Sequence, residues 1–149
     1  MNTQTVKVKK IHPDAVMPKY GTEFAAGADL FACLDVDKLE IPSGQSVFIH
    51  TGICLQIPDG LVGLVYARSG LACKRGLAPS NKVGVIDSDY RGEIIVSLHN
   101  HSDVTQTVEN KERIAQIVFT PYVAAALEEC DVLDGTDRGD GGFGSTGTK

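Results

Sequence analysis

The stretch that decides the fold is VFIHTGICLQI, which occupies residues 47–57. Every odd-numbered residue in it is apolar or threonine, so the hydrophobic period is two. A period of two is typical of an extended strand that turns one face to a core and the other to solvent. Pro58, Asp59 and Gly60 then supply a turn, and residues 61–66 predict the next strand.

The same alternation recurs on both sides of this stretch. Further strands are predicted at residues 6–8, 28–34, 93–98, 104–108 and 114–119. Turn signals separate them at intervals of about 8–12 residues, which indicates an all-β sandwich or barrel. Helix signals are few: residues 71–75 fit one helical turn, and residues 124–130 are helix-prone in composition but are expected to be extended.

The composition excludes several classes of protein. The chain has 149 residues, enough for one domain with a core, and its formal net charge is −5. An acidic chain is not expected to bind a nucleic-acid polymer, whereas a few arginines could still hold a small anion. No apolar run approaches the roughly 18 residues of a membrane span, and the N-terminus has no hydrophobic signal region. We therefore expect no membrane partner and a cytoplasmic location, or a nuclear one as well in a eukaryote.

Three smaller sequence patterns suggest a functional site but do not support one when their spacing is considered. The four cysteines form no C-x-x-C pair and are expected to be reduced and mostly buried. His99 and His101 could share a metal ion, but no third ligand is near them in sequence, so a surface role is favoured. Residues 142–149 nearly fit a phosphate-binding P-loop, except that Thr148 stands where lysine is required.

Five segments are richer in glycine and polar residues than the plain turns of a sandwich. They lie at residues 26–30, 68–72, 84–92, 113–117 and 138–147. The donors that a polyphosphate needs are present as Arg68, Ser69, Gln116, Arg138, Ser145 and Thr146. Asp87 and Asp89 are carboxylates able to handle a water or a metal, and Tyr90 and Phe143 offer flat surfaces for a sugar or base. This inventory suggests nucleotide hydrolysis without a P-loop.

In this order and spacing, the five segments resemble the signature motifs of the trimeric deoxyuridine triphosphatases (dUTPases), from about residue 25 to residue 147. The resemblance implies a distorted β jelly roll, a sandwich of short antiparallel strands, that forms a homotrimer with active sites at the subunit interfaces. Residues 1–134 would form this domain, and residues 135–149 a flexible glycine-rich arm that closes over the site.

The reaction implied by the resemblance is hydrolysis of dUTP to dUMP and pyrophosphate by attack of water on the α-phosphorus. It would lower dUTP and supply dUMP for thymidylate synthesis. Magnesium would be the cofactor, held by the triphosphate and waters without a direct protein ligand.

The resemblance also assigns roles at the nucleoside end of the site. Asp87 would orient and deprotonate the attacking water, and Tyr90 would pack on the deoxyribose and leave no room for a 2′-hydroxyl. Ile95 would lie near the uracil pocket or belong to the core. The hairpin that receives uracil would be formed by Asn81 and by the backbone of Gly84, Val85 and Ile86.

At the phosphate end, the resemblance assigns the binding of phosphates to Arg68, Ser69 and Gly70. Gln116 would hold the α-phosphate or a metal-bound water, and Asp29 would either orient an arginine or act as a structural cap. Phe143 would stack on the uracil. The γ-phosphate would be clamped by Arg138, Gly144, Ser145 and Thr146. The chain departs from many relatives at Ala67, where they have proline, and residues 73–75 receive no role.

Two rival functions remain open at this stage. A dCTP deaminase, or the bifunctional deaminase-dUTPase, shares the fold but needs a glutamate in the second motif, and residues 68–72 contain none. A non-catalytic trimer could bind dUTP or a protein partner as a regulator, although Asp87 and the intact arm favour an enzyme.

Overall fold

The structure is a computed structural model that describes residues 3–143. Its strands are β1 (Lys7–Lys10), β2 (Lys19–Tyr20), β3 (Ala28–Phe31), β4 (Lys38–Ile41), β5 (Ser46–Gln56), β6 (Leu61–Tyr66), β7 (Leu77–Pro79), β8 (Gly84–Ile86), β9 (Glu93–Asn100), β10 (Gln106–Glu109) and β11 (Arg113–Pro121). A short helix, α1 (Ser69–Arg75), lies between β6 and β7.

The strands pair antiparallel in three sheets. One sheet has the order β2-β3-β11-β6-β8, a second has the order β1-β5-β9-β7, and a two-stranded sheet joins β10 to β4. The predicted all-β class of short antiparallel strands is confirmed.

The core follows the alternation that the sequence predicts. In β5 the side chains of Ile49, Thr51, Ile53 and Leu55 are buried, while Phe48 faces solvent. Burying an aliphatic side chain of this size stabilises the fold by roughly 1.5–3 kcal/mol. The largest fully buried aliphatic residues are Leu30, Ile41, Ile49, Ile53, Leu77, Ile94, Leu98, Ile114 and Ile117.

Several element boundaries differ from the prediction. The helix begins at Ser69, two residues earlier than expected, and it ends where Gly76 adopts a left-handed φ of 68°. Residues 124–130 form neither helix nor strand, and β9 continues to Asn100, two residues beyond its predicted end at residue 98. The strands β2, β4, β7 and β8, each of two to four residues, were not predicted.

Within residues 3–143, no helix has the length and apolar character required to cross a membrane.

Candidate active site

The carboxylate of Asp29 joins three of the five motifs. Asp29 lies in β3 and is only 9% exposed. Its Oδ1 accepts a hydrogen bond from Arg68 Nε at 2.7 Å, and its Oδ2 accepts one from Arg113 Nη1 at 3.3 Å. Charge-assisted bonds of this kind fix a guanidinium more firmly than neutral ones. Arg68 is therefore held by Asp29 just before α1. The first turn of that helix exposes Ser69 and Gly70 to solvent.

Gln116 occupies the next place in the same sheet. In the strand register it is opposite Asp29 on β3 and Tyr66 on β6. Its Nε2 donates to the carbonyl oxygen of Ala67 at 2.9 Å. A Cβ built on Gly27 would lie 2.5 Å from Gln116 Oε1, so glycine is required there for this amide to keep its place. Asp29, Arg68, Arg113 and Gln116 together form the cationic and amide cluster that we call the phosphate end.

The sequence-predicted nucleoside residues form a second cluster beyond β8. Asp87 is exposed directly after β8, and its carbonyl oxygen accepts a hydrogen bond from the backbone N–H of Tyr90 at 3.2 Å. The Tyr90 hydroxyl donates to the carbonyl oxygen of Glu93 at 3.1 Å. A Cβ on Gly92 would lie 2.3 Å from that hydroxyl oxygen, so this glycine makes room for the ring.

The hairpin predicted to receive uracil lies beside this cluster. Gly84 is paired with Val65 of β6, and its Cβ position would lie 3.5 Å from Asn81 Nδ2. Val85 is 61% exposed, and Ile95, on β9, is 44% exposed and therefore not part of the core. With Asp87 and Tyr90, these residues form what we call the nucleoside end.

An open cleft of about 530 Å³ lies against Asp87. Its apolar wall is formed by Leu61, Val62, Leu64, Val85 and Tyr122, and its polar wall by Asp87, Ser88 and Asp89. This volume is in the range of small-molecule sites. The cleft places an apolar surface next to Asp87, the carboxylate that the motifs predict to be catalytic.

The two ends are far apart within one chain. Ile86 is paired with Gly63, so Asp87 continues the register opposite Val62 of β6. Arg68 lies six residues further along from Val62, which corresponds to about 20 Å at roughly 3.3 Å per residue. Side chains separated by this distance do not meet at one phosphate group. The structure therefore assembles each half of the predicted site but does not bring Asp87 and Arg68 together.

The predicted arm is exposed over residues 135–140 and at Phe143, and it is partly buried at Gly141 and Gly142. Arg138 Nε donates to the carbonyl oxygen of Gly141 at 2.8 Å, within its own turn, and Phe143 is fully exposed. Neither residue contacts the phosphate or the nucleoside end. The predicted ligands Gly144, Ser145 and Thr146 lie outside the described residues.

Sequence reasoning left the side chain of Arg113 without a role and missed Gly27 and Gly92 as spacers. Arg113 opens the fourth motif, so its place in that motif was a usable signal for a site residue. The two glycines also lie within or beside motifs, but their function depends on the neighbouring Gln116 and Tyr90, which only the fold identifies.

Within residues 3–143 there is no group of three or more histidine, cysteine or carboxylate side chains placed to hold a metal ion. Magnesium commonly keeps several waters and binds through substrate phosphates with few protein ligands. The exposed carboxylates of Asp87 and Asp89 and the amide of Gln116 are groups that hydrogen-bond such waters, so these residues fit a magnesium carried by the nucleotide.

Comparisons with known proteins agree on one family. The family model described as dUTPase matches residues 13–147. The deoxyuridine 5′-triphosphate nucleotidohydrolase of Desulfitobacterium hafniense is 49% identical over 150 residues, covering 99% of this chain and 99% of that protein. The enzyme of the same name from Escherichia phage T5 is 47% identical, covering 97% of this chain and 99% of that protein. A mutant dUTPase of Staphylococcus bacteriophage 80alpha, solved with dUpNHpp, has a TM-score of 0.87 at 26% identity and covers 97% of this chain and 99% of that one.

Proposed function

This chain belongs to the dUTPase family and hydrolyses dUTP to dUMP and pyrophosphate, and we propose that it does so at sites assembled between three copies of the chain. The observation that carries the proposal is the separation of about 20 Å between the nucleoside end and the phosphate end, estimated from the strand register. A neighbouring copy could bring its phosphate end to the nucleoside end of the first copy.

Exposed apolar residues support this assembly. Between β11 and the arm, the chain runs without regular structure, and Val123, Leu127, Val132 and Leu133 are each more than four-fifths exposed. Large apolar side chains left this exposed in one short segment are typical of a surface that another molecule covers. A second and third copy of this chain would cover it, as the resemblance to trimeric dUTPases implies.

The nucleoside end selects the substrate in this proposal. Backbone groups of Gly84, Val85 and Ile86 present the N–H and C=O pattern of a pairing base edge to uracil. Tyr90, held by its hydroxyl bond to Glu93, packs on the deoxyribose and excludes a 2′-hydroxyl by contact. Steric exclusion is needed here, because loss of a favourable contact alone discriminates weakly between similar substrates.

Asp87 activates the water. Its carboxylate orients the water and accepts one proton as the water oxygen forms a bond to the α-phosphorus. The bond from that phosphorus to the bridging oxygen breaks, and pyrophosphate leaves. Orientation of the water in line with the leaving group supplies much of the acceleration.

The phosphate end stabilises the charge on the triphosphate. Arg68, fixed by Asp29, and the exposed Ser69 and Gly70 at the start of α1 bind the phosphates, and Gln116 holds the α-phosphate or a water on the metal. Donors fixed in advance stabilise developing negative charge without reorganisation. Magnesium, when bound to the triphosphate, neutralises part of its charge.

We further propose that residues 1–134 form the catalytic domain and residues 135–149 an arm that closes over the bound nucleotide. Phe143 would stack on the uracil, and Arg138 would bind the γ-phosphate. Closure of such a segment excludes water other than the attacking one. The reaction lowers dUTP and supplies dUMP, and we place it in the cytoplasm.

Incubation with dUTP and magnesium tests the activity. Pyrophosphate and dUMP are expected, and UTP is expected to be a poor substrate. Ammonia released from dCTP would instead indicate a deaminase, and nucleotide binding without product would indicate a regulator. Asp87→Asn should lower kcat by orders of magnitude while dUTP binding survives, and near-normal turnover would remove Asp87 from the mechanism.

A further inference from the structure

Arg75, in the last turn of α1, donates a hydrogen bond from each of its three guanidinium nitrogens, although it lies outside the predicted nucleotide site. Its Nη1 donates to Glu112 Oε1 at 2.5 Å, and its Nε donates to Gln106 Oε1 at 3.3 Å. Its Nη2 donates to the carbonyl oxygen of Thr107. Both partner side chains and the carbonyl belong to β10 or to the turn that follows it. Arg75 thus fastens the end of α1 to a different sheet from the one that carries Gln116.

Glu112, which binds Arg75, is followed directly in sequence by Arg113, which binds Asp29. Glu112 binds Arg75 at the end of α1, and its Oε2 also accepts the backbone N–H of Glu109 at 2.9 Å. Arg113 binds Asp29, which in turn binds Arg68 at the beginning of α1. Two consecutive residues, Glu112 just before β11 and Arg113 at its start, are therefore linked to the two ends of the helix, Arg113 by way of Asp29.

Contacts at its ends are what fix a helix of this length. An isolated helix shorter than about 12 residues is marginal in water, and α1 has seven residues. No side chain caps its N-terminus at Arg68, and the only buried residue in it is Leu71. With one buried anchor, the orientation of α1 depends on the polar links at its two ends.

We propose that Arg75 is a positioning residue for the phosphate end: by fixing the end of α1 it sets the place of Arg68, Ser69 and Gly70 against the triphosphate. This inference rests on the proposed function of those three residues. It predicts an effect that depends on the phosphates of the ligand, because α1 carries residues of the phosphate end and none of the nucleoside end.

The test is Arg75→Gln in the full-length protein, with Lys74→Gln as the matched control. Lys74 is the exposed neighbour in the same turn of α1, so the control removes an identical charge without touching Glu112. We expect kcat/KM for dUTP to fall by up to about a hundredfold in Arg75→Gln, the loss that a displacement of about 1 Å can cause. Binding of deoxyuridine, measured by calorimetry, should stay within about twofold of wild type, since it lacks phosphate.

A second variant separates positioning from loss of folding. Glu112→Gln should reproduce the loss, and the double variant should lose no more than the larger single variant, because both changes break one link. Three results would each overturn the inference. The first is an equal kcat/KM in Arg75→Gln and Lys74→Gln, and the second is a double variant whose loss is the sum of the single losses. The third is a loss of deoxyuridine binding that parallels the loss of kcat/KM. A wild-type protein that leaves dUTP intact would contradict the proposed function itself, whereas wild-type turnover with an unaffected Arg75→Gln contradicts only the inference.

Discussion

Asp29→Asn is the change that most directly tests how the phosphate end is held. The substitution keeps the shape of a side chain that is 12% exposed but removes its charge. An amide oxygen can still accept from Arg68, while the amide nitrogen has no acceptor on Arg113. Both arginines lose their carboxylate partner in one step.

The contacts set the expected cost. The bond from Arg68, whose side chain is 26% exposed, keeps its cationic donor but loses its anionic acceptor, a loss of about 1–1.5 kcal/mol. The pair with Arg113, which is 54% exposed, contributes about 0.2–1 kcal/mol after screening by solvent. Asp29→Asn should therefore lower the free energy of unfolding by about 1–2.5 kcal/mol.

Urea unfolding at one fixed protein concentration measures this loss, with Asp59→Asn as the control. Asp59 is exposed in the turn before β6, and its substitution should change stability by no more than about 0.5 kcal/mol. If Asp29 also orients Arg68 for catalysis, kcat/KM for dUTP should fall about tenfold, which corresponds to about 1.4 kcal/mol of lost transition-state stabilisation. Lower stability with unchanged kcat/KM would leave Asp29 as a structural cap only. An unchanged unfolding midpoint would show that the links from Asp29 to Arg68 and Arg113 contribute nothing to stability.

Three further predictions concern close approaches and burial. Gly92→Ala places a methyl group against the hydroxyl of Tyr90 and should reduce the preference of kcat/KM for dUTP over UTP, whereas equal preference would contradict the role of the ring. Gly27→Ala should displace the Gln116 amide and break its bond to Ala67, which lowers the free energy of urea unfolding by about 0.5–1.5 kcal/mol, and little further loss is expected in a Gln116→Ala background. Burial, reinforced by nearby carboxylates, raises the pKa of the Cys33 thiol. The native state therefore keeps that proton to a higher pH than the unfolded chain does. The free energy of unfolding should fall as pH rises past the ordinary thiol pKa of about 8.5. The fall should be smaller in Cys33→Ala.

The sequence predicts well those features that depend on neighbouring residues. The odd-numbered residues of β5 are apolar or threonine, and the structure buries Ile49, Ile53 and Leu55 as that pattern requires. The fold class follows from the same period-two signal and is confirmed. The family resemblance, carried by five motifs, is confirmed by a family model that matches residues 13–147.

Features that depend on contacts distant in sequence could not be predicted. The partners of Asp29 lie 39 and 84 positions away, and no local pattern links them. Arg75 shows the same limitation, since its role follows from Glu112 and from the register of β10. The site residues at Gly144, Ser145 and Thr146 stay predictions, because they lie outside the described residues.

Subunit mixing tests the proposed shared site, which takes Asp87 from one copy and Arg68 from another. Asp87→Asn and Arg68→Ala proteins, each expected to be nearly inactive alone, are unfolded, mixed in equal amounts and refolded together. In randomly mixed closed trimers, about a quarter of the sites would combine an intact Asp87 with an intact Arg68 from a neighbour. We predict recovery of about a quarter of wild-type dUTP turnover in the mixture. A mixture that stays as inactive as its two components, although mass measurement shows mixed trimers, would show that Asp87 and Arg68 of different copies do not share a site.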